Sequence, residues 1–518
     1  MDLPQSLTPA RIEALTRLVV HGPDPRTRTG TAAFTGEPTA AVPLSTPADV
    51  VVAFDAARRA QRSWARRPVA ERVRVLRRVQ RLALQRREQL IDVIQWEAGK
   101  ARLHAFEEVV DVSINAGYYA RSADRLLGPK PARGWVPGIS AVTVEHHPRG
   151  VVGLITPWNY PLTLPISDAL PALVAGNAVV LKPDHQTPFT ALAGVELLHD
   201  AGLPEGLLQV VIGEGPVLGP TVIEHADVVA FTGGTATGRT VAEQAGARLV
   251  PVSLELGGKN AQLVLADADL RRAVPGTIRS VFANAGQLCV SMERIYVEDA
   301  IYDRYVPALV EAVRQMRVGA SYDYDIDMGS LISLTQLERV QGQVEDALSK
   351  GATALVGGKP RPDLGPSFFD PTLLVDVDDS MTLCREETFG PVASIYRVRD
   401  AEEAVARAND SRYGLSACIW TRDTRRGRAI ASRLRSGTVS INEPYGAFWG
   451  SIDAPMGGMG WSGMGRRHGR EGLLKYTDAQ TVGVQRLLPF APSFGMDQRR
   501  FSQLMTHGVD LLNRLGRP

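Results

Sequence analysis

Short apolar runs alternate with longer amphipathic stretches along the middle of the chain. Five of these runs are predicted as buried strands: 150–157 (GVVGLITP), 177–183 (NAVVLKP), 207–213 (LLQVVIG), 226–234 (ADVVAFTGG) and 249–258 (LVPVSLELGG). Most of the stretches between them have the length and the apolar spacing of helices. This alternation predicts right-handed βαβ units and a parallel sheet covered by helices on both faces.

The segments that follow the predicted strands form the expected functional edge of this sheet. In parallel sheets with such connections, ligands bind beyond the carboxyl ends of the strands. Four segments meet that description, namely TPWNYP, KPDHQTP, FTGGTATG and ELGGKN.

A second set of alternating apolar runs follows residue 289 and predicts a separate α/β domain. Its strands are predicted in ERIYVED, FFDPTLLVDV, FGPVASIYRV, GLSACIWT and GTVSIN. Residues 140–148 and 480–488 instead alternate polar and apolar positions, as half-exposed strands do. We interpret both as edge strands that join subunits; an ordinary surface hairpin is the alternative. Residues 489–518 are rich in Pro, Arg and Gly and predict a peripheral tail.

Composition narrows the class of protein. The chain has 518 residues, enough for two or three domains, and its 58 basic and 56 acidic side chains nearly cancel. The balanced charge gives no argument for a nucleic-acid or membrane partner. Three cysteines do not suit a disulfide scaffold and fit a reducing cytoplasm. The N-terminus lacks a signal-peptide pattern, and no apolar run reaches the roughly 18 residues that span a bilayer. We expect a soluble, cytoplasmic protein.

One segment departs from this balance, because residues 58–87 carry twelve arginines. The segment is either a nucleic-acid patch or an amphipathic helix with arginines on its wet face. No RNA- or DNA-binding module accompanies the charge, which favours the helix. The apolar positions after Pro68 have helical spacing: Val69, Val73, Leu76, Val79 and Ala83.

Three side chains are candidates for catalytic roles, and each could instead have an ordinary structural role. Cys289 in NAGQLCVSMER is a nucleophile only if it has thiolate character and access; most free cysteines are small buried hydrophobes. Glu255 can serve as a general base if burial raises its pKa; otherwise it is structural. The Asn159 amide can donate to an oxyanion, or it holds an Asx turn. Cys384 and Cys418 are interpreted as structural.

Two further features point weakly to a nucleotide. Gly233 and Gly238 lie where a strand turns into a helix, and they would let the backbone approach a phosphate. The pattern is not the GxGxxG fingerprint. Lys182 ends a predicted strand. There it either contacts a phosphate or ribose of a ligand, or it is a solvated surface lysine.

Seven segments, in chain order, resemble the signature of the aldehyde dehydrogenase superfamily: TPWNYP, AGNAVVLKPD, FTGGTATG, ELGGKN, NAGQLC, EETFGPV and PMGGMGWSGMGRRHG. The resemblance covers about residues 30–485. Glu255 also lies 34 residues before Cys289, the family's usual spacing of base and nucleophile.

The resemblance implies an α/β fold with a Rossmann-like parallel-sheet cofactor domain, a second α/β catalytic domain and a small β oligomerisation element. The expected segments are 1–128 with 150–254 for NAD(P) binding, 255–477 for catalysis, 129–149 with 478–495 for oligomerisation strands, and 496–518 for a C-terminal tail. A homodimer or homotetramer is expected.

The resemblance also implies catalytic roles. Cys289 would attack an aldehyde to form a thiohemiacetal that becomes a thioester, and Asn159 would stabilise the oxyanion. Glu255 would activate the water that hydrolyses the thioester. Relatives that pass the acyl group to coenzyme A usually lack this glutamate, so a free acid is the expected product.

The implied cofactor is NADP or NAD, and no metal site is expected. NAD-preferring members usually carry a glutamate where this chain has His185, and loss of that carboxylate favours acceptance of a 2′-phosphate. The implied cofactor-binding residues are Thr156, Trp158, Lys182, His185, Gly233, Gly234, Gly238, Leu256, Gly257, Glu387 and Phe389.

The segments are most similar to bacterial NADP-type succinate-semialdehyde dehydrogenases, which implies succinate semialdehyde as the substrate. Enzymes of that specificity hold the substrate carboxylate with two arginines, whose positions here are Ala283 and Ser167. Asp168 replaces a lysine found in many members, and Arg467 replaces the usual glutamate. An alternative clamp would use Arg466, Arg467 or His468, which otherwise form a basic turn.

The expected substrate mouth is largely apolar and also fits longer aliphatic or aromatic aldehydes. Its residues are Trp158, Tyr160, Leu288, Phe448 and Trp449. A non-catalytic binding relative is the remaining alternative, but it predicts loss of the cysteine, asparagine or glutamate, and all three are present.

Overall fold

The computed structural model describes residues 4, 6–133, 139–487 and 489–516. Residue 488, which ends the predicted strand 480–488, and residues 134–138 of the predicted segment 129–149 lie outside the described residues.

Helices dominate the N-terminal region, and strands and helices then alternate. The N-terminal elements are α1 (Pro9–Thr16), β1 (Thr27–Thr31), β2 (Pro38–Pro43), α2 (Pro47–Ala65), α3 (Val69–Gln85), α4 (Arg87–Ala98) and α5 (Arg102–Leu127). The next are β3 (Lys130–Ala132), β4 (Ser140–Pro148), β5 (Val151–Ile155), α6 (Thr163–Val174), β6 (Ala178–Lys182), α7 (Pro188–Asp200), β7 (Leu208–Val210), α8 (Gly215–His225), β8 (Val228–Thr232), α9 (Thr235–Gly246) and β9 (Val252–Glu255).

The same alternation continues to the C-terminal region. Its first elements are β10 (Asn260–Val264), α10 (Leu270–Phe282), β11 (Met292–Glu298), α11 (Asp299–Arg314), α12 (Leu334–Ser349), β12 (Thr353–Val356), β13 (Thr372–Val375), α13 (Thr382–Arg385), β14 (Val392–Val398) and α14 (Ala401–Asn409). The last are β15 (Ser416–Trp420), α15 (Thr424–Ala431), β16 (Thr438–Ile441), α16 (Gly446–Trp449), β17 (Gly463–Met464), α17 (Gly469–Leu474), β18 (Thr477–Gln485) and α18 (Gln498–Arg514).

The first sheet contains all five strands predicted between residues 150 and 258. Its order is β17-β9-β8-β5-β6-β7, and β5 to β9 are parallel. Strands β5 and β6 are buried at every residue, as expected for a sheet covered on both faces. The predicted α/β fold with a parallel sheet is confirmed.

The second sheet has seven strands in the order β12-β13-β14-β11-β10-β15-β16. All neighbours are parallel except β12, which runs antiparallel to β13. The prediction of a second α/β unit is therefore confirmed. A separate hydrophobic core packs around this sheet, distinct from the core of the first sheet.

One short strand crosses between these units. Strand β17 belongs to the predicted segment 255–477, yet it pairs antiparallel with β9, placing Gly463 opposite Glu255. A strand of two residues is too short to show an alternating pattern, so this pairing could not be predicted from the sequence. The pairing brings the loop after β16 against the end of β9.

The two alternating segments form one small sheet. Strand β18 pairs antiparallel with β4 over its whole length, and β3 pairs on the other side of β4. Residues 489–516 are not wholly irregular, because α18 is a 17-residue helix with no buried residue. No helix in the described ranges has the length and apolar character needed to cross a membrane.

The arginine-rich segment is helical, as the apolar spacing predicts. Helix α3 buries Val73, Leu76, Val79 and Ala83 against the first core. One arginine differs from the expectation of a wet face: Arg72 is buried and its guanidinium donates to three backbone carbonyl groups, including that of Val174 at 2.8 Å. Its charge therefore serves the packing of α3 on α6.

Candidate active site

A cavity of about 200 Å³ lies beyond the carboxyl ends of β5, β8 and β9. It brings together the three predicted catalytic residues, Asn159, Glu255 and Cys289, from three separate segments. The other lining residues are Pro157, Trp158, Leu164, Thr232, Gly233, Gly234, Leu256, Gly257, Gln336, Arg339, Glu387, Phe389, Met456 and Arg467.

Cys289 follows a tight turn that aims it at the cavity. Asn284, Ala285 and Gly286 all adopt left-handed backbone conformations, with φ of 52°, 53° and 71°. A Cβ on Gly286 would lie 1.9 Å from the carbonyl oxygen of Gly390, so only glycine fits there. Cys289 remains partly accessible.

The thiol of Cys289 is neutral at rest. Burial raises its pKa to about 12, and the nearby carboxyl groups of Glu255 and Glu387 add to this. A thiol in this state needs its proton removed before it can attack a carbonyl carbon.

The turn that carries Asn159 is fastened by a buried ion pair. The carbonyl oxygen of Asn159 accepts hydrogen bonds from Lys100 Nζ (2.7 Å) and Asn284 Nδ2 (3.1 Å). Lys100 also pairs with Glu108 at 2.6 Å, and both side chains are fully buried. Glu108 in turn accepts from the backbone N–H of Leu162 at 2.9 Å. These contacts fix the backbone of Asn159 independently of its side chain.

The side chain of Asn159 keeps unused hydrogen-bonding capacity. Its Nδ2 donates to the carbonyl oxygen of Gln287 at 3.1 Å, and Oδ1 has no partner among the described residues. One N–H of the amide therefore remains for a ligand beside Cys289. Lys100 and Glu108 were missed by the sequence reasoning, since a lysine and a glutamate eight residues apart carry no local sign of burial.

Glu255 is the last residue of β9, and its carboxyl group faces the cavity. Its Oε1 atom is buried and has no hydrogen-bond partner among the described residues. Burial raises the pKa of Glu255 to about 8, while the positive charges of Arg467 and Lys475 oppose the rise. The sequence expectation of a carboxyl group with a raised pKa is met, as a general base near neutrality requires.

The opposite end of the cavity is formed by the loop before β14. Glu387 Oε1 accepts from the backbone N–H of Gly258 at 2.8 Å. Phe389 has φ of 57° and lies edge-on to the ring of Trp158, with centroids 5.5 Å apart. A Cβ on Gly257 would lie 2.2 Å from Glu387 Oε2, which explains the glycine at this position.

Two lining residues at this end were not predicted. Gln336 Nε2 donates to the carbonyl oxygen of Phe389 at 2.7 Å, and Arg339 donates to that of Glu387 at 2.9 Å. Both come from α12, whose sequence shows only ordinary amphipathic spacing. Deeper in the protein, Glu293 accepts from the backbone N–H groups of Thr388 and Phe389. This loop is therefore held through its backbone.

The remaining predicted cofactor residues lie around the cavity rather than inside it. Thr156 and Lys182 follow β5 and end β6, and Thr156 Oγ1 is buried without a partner in the described chain. Among the described residues, Lys182 Nζ donates only to the carbonyl oxygen of Pro183, at 3.2 Å. Burial lowers the pKa of both Lys182 and His185, and His185 lies 3.7 Å from Asp184. The partnerless hydroxyl of Thr156 and the ammonium group of Lys182 fit a polar ligand such as a nucleotide ribose.

The three glycines of the turn after β8 differ. Gly233 and Gly234 line the cavity. Gly238 lies one helical turn later, and a Cβ there would be 2.4 Å from Leu256 Cδ2. Its smallness lets α9 pack closely on the residue after β9, rather than exposing backbone to a ligand.

Most of the predicted substrate mouth forms one apolar cluster beside Cys289. Tyr160 and Leu288 are buried, and Phe448 and Trp449 pack against them. The rings of Tyr160 and Trp449 lie 5.6 Å apart. Trp158 departs from this group, because it contacts Phe389 at the other end of the cavity.

The four residues near the substrate end that differ from the usual family pattern, Ser167, Asp168, Ala283 and Arg467, are all buried. Ser167 Oγ donates to Asp111 at 2.7 Å, and Ala283 packs in the apolar cluster. Asp168 and Arg467 form a buried ion pair at 3.0 Å. Of the other proposed clamp residues, Arg466 donates to backbone carbonyl groups, and burial lowers the pKa of His468 to about 3. His468 is therefore neutral and does not suit a carboxylate.

Comparison with known proteins agrees with this architecture. The profile of the aldehyde dehydrogenase family matches residues 22–482. A Mycobacterium ulcerans protein named "Putative succinate-semialdehyde dehydrogenase [NADP(+)] 2" is 53% identical over 470 residues, 91% of each chain.

Two solved structures are similar throughout. Betaine aldehyde dehydrogenase of Staphylococcus aureus in complex with NAD+ is 31% identical, with a TM-score of 0.87 over 93% of this chain and 99% of that one. An Escherichia coli NADP-dependent enzyme is 35% identical, with a TM-score of 0.85 over 89% of this chain and 95% of that one. By sequence over most of its length and by fold, this chain belongs to the aldehyde dehydrogenase family.

Proposed function

We propose that this protein oxidises succinate semialdehyde to succinate with NADP. The observation that carries the chemistry is the convergence of Asn159, Glu255 and Cys289 on one cavity. The substrate and the preference for NADP rest on the name of the 53% identical relative. The protein acts on a small aldehyde, as its family does.

Acylation begins at Cys289. The thiol gives its proton to a solvent water molecule, and the sulfur attacks the aldehyde carbon to form a thiohemiacetal. The oxygen of the former carbonyl group becomes an oxyanion, which the free N–H of Asn159 stabilises by about 3 kcal/mol, the scale of one oxyanion-hole donor. Because Lys100 and Asn284 hold the carbonyl oxygen of Asn159, the amide is positioned before the charge develops.

Hydrolysis of the resulting thioester falls to Glu255. Its carboxylate takes a proton from water, and the hydroxide adds to the thioester carbon. The sulfur of Cys289 then leaves and the free acid departs. Because the pKa of Glu255 is raised to about 8, only part of the population is ionised at pH 7, and turnover limited by this step rises with pH through that value.

The residues at the far end of the cavity suit a dinucleotide. Gly233 and Gly234 would receive its phosphates, Glu387 and Phe389 its nicotinamide ribose and ring, and Lys182 its adenosine ribose. When bound, the oxidised nicotinamide supplies the acceptor for the hydrogen and electron pair that the thiohemiacetal loses.

The adenosine end supports NADP in particular. His185 stands near Lys182, where a carboxylate would repel a 2′-phosphate. Burial lowers the pKa of His185, so the ring is neutral at pH 7 in the free protein. A bound phosphate would reverse that tendency by favouring the charged ring.

A second substrate class has a specific observation in its favour. The mouth formed by Tyr160, Leu288, Phe448 and Trp449 is apolar, and Ala283 and Ser167 supply no arginine for a substrate carboxylate. Longer aliphatic or aromatic aldehydes would bury more apolar surface in such a mouth.

A panel of aldehydes decides between these substrates. Succinic semialdehyde, hexanal and benzaldehyde are compared by kcat/KM, each with NADP and with NAD. The proposal predicts the highest value for succinic semialdehyde with NADP. A higher kcat/KM for hexanal or benzaldehyde would show that succinate semialdehyde is not the preferred substrate. If none of the three aldehydes is oxidised, the proposed activity is wrong.

We also propose a cytoplasmic homodimer or homotetramer. Strand β18 is the edge of its sheet, and eight of its nine residues are exposed, as for a strand that adds to a second subunit. Three unpaired cysteines are compatible with a reducing compartment. Light scattering of the purified chain tests the assembly; a monomer at micromolar concentration would contradict it.

A further inference from the structure

Asp168 and Arg467 are buried beside the reaction site and contact each other. Both depart from the family pattern, because Asp168 replaces a lysine and Arg467 replaces a glutamate. Asp168 in α6 accepts a hydrogen bond from Arg467 Nε at 3.0 Å, and both side chains are about 6% exposed. Each departure alone would bury an unpaired charge, which is costly. Together they form one ion pair.

The guanidinium group of Arg467 is only partly used. Its Nε atom is held by Asp168, while Nη1 and Nη2 donate to no residue in the described part of the chain. Arg467 also lines the cavity that contains Glu255 and Cys289. A buried arginine with two unused nitrogens at a cavity wall is poised for an anion.

Glu255, which lines the same cavity, is a candidate for that anion. Met456 and Arg467 form a backbone bridge with hydrogen bonds of 2.9 and 2.7 Å. The next residue after Met456 is Gly457, and Glu255 Oε1 lies 3.1 Å from the position of a Cβ there. The partnerless oxygen of Glu255 therefore rests against the turn that carries Arg467.

We propose that Arg467, anchored by Asp168, is a positioning residue whose positive charge favours the ionised form of Glu255 for thioester hydrolysis. This inference rests on the proposed role of Glu255 as the base. Glu255 takes the proton of the attacking water, and the fixed positive charge of Arg467 balances the negative charge that Glu255 carries before that transfer.

Other charged groups around Glu255 do not replace Arg467. Lys475 Nζ donates to Ser253 Oγ at 3.3 Å and does not line the cavity. Arg466 donates to backbone carbonyl groups. The negative charge of Asp168 disfavours an ionised Glu255. An ionised Glu255 in turn raises the pKa of the Cys289 thiol. Arg467 is the cation at the reaction end among the described cavity-lining residues.

The test compares the burst of reduced nicotinamide with steady-state turnover across pH, using NADP with succinic semialdehyde and with butanal. The variants are R467Q, R467K and the neutral pair D168N/R467Q, which removes both charges of the ion pair if R467Q alone fails to fold. R470Q, which removes an exposed arginine three residues after Arg467, is the matched control.

With R467Q, the midpoint of the rise in kcat with pH moves up by about one unit, and kcat at pH 7 falls about tenfold. In D168N/R467Q the midpoint moves up by less, because the loss of Asp168 removes a charge that disfavours an ionised Glu255. Steady-state turnover falls more than the burst rate, R467K recovers the wild-type profile, and R470Q matches wild type.

Three results would overturn the inference: an unmoved midpoint, an equal loss of burst and steady-state rates, or a rise in KM for succinic semialdehyde but not butanal. The last result would make Arg467 a clamp for the substrate carboxylate. Failure of the wild-type protein to oxidise either aldehyde would instead contradict the proposed function.

Discussion

The two ends of the cavity differ in whether their polar atoms have hydrogen-bond partners. At the reaction end, Glu255 Oε1 and Asn159 Oδ1 have no hydrogen-bond partner among the described residues. At the other end, Glu387 accepts from Gly258, and the backbone of Phe389 is bonded on both sides. A buried polar atom without a partner costs about 1–3 kcal/mol. The reaction end therefore carries a cost that a bound substrate relieves, whereas the other end is built to keep its shape.

The largest expected effect is at Cys289. Replacing it with serine removes the nucleophile while retaining a similar shape, and aldehyde oxidation should fall by about a thousandfold or more. C384S is the matched control, because Cys384 does not line the cavity and contacts Asp379 and Tyr396. Steady-state rates with a saturating aldehyde measure both. Substantial turnover by C289S would show that Cys289 is not the nucleophile.

The next effect is expected at Asn159. N159A removes the donor to the oxyanion, so the rate of the burst should fall about 10²- to 10³-fold. The fold should persist, since Lys100 and Asn284 hold the backbone of residue 159 rather than its side chain. N409A, which alters a hydrogen bond to Arg433 outside the cavity lining, is the control. A burst rate within threefold of wild type would remove Asn159 from the oxyanion site.

The smallest effect is expected outside the cavity, at His185. H185E places a carboxylate where a 2′-phosphate would lie, and kcat/KM for NADP should fall about tenfold while that for NAD changes little. A glutamine at the same position separates charge from shape. Equal losses with both cofactors would mean that residue 185 does not face the 2′-position.

Much of this contrast could be predicted from the sequence. The strands β5 to β9 stand out as short apolar runs, with Asn159 in the segment after β5 and Glu255 at the end of β9, and the motif NAGQLC supplies Cys289. Their motifs also predict the residues at the far end, such as Glu387. These features are local in sequence, so pattern and spacing reveal them.

The supporting contacts could not be predicted, because they join distant segments. Nothing near Lys100 indicates that it is buried against Asn159, 59 residues later. The pairing of Asp168 with Arg467 spans 299 residues. Gly238 is a further example. Its motif indicates a phosphate turn, whereas its close packing on Leu256 can be recognised only from the fold.

The most direct test of the division between acylation and hydrolysis is stopped-flow measurement of the E255Q variant with NADP and succinic semialdehyde. The burst of reduced nicotinamide should keep its amplitude and rate, because Cys289 and Asn159 are intact. Steady-state turnover should fall about a hundredfold, since the general base for water is gone. An equal loss of burst and steady-state rates would contradict the account and place Glu255 in acylation.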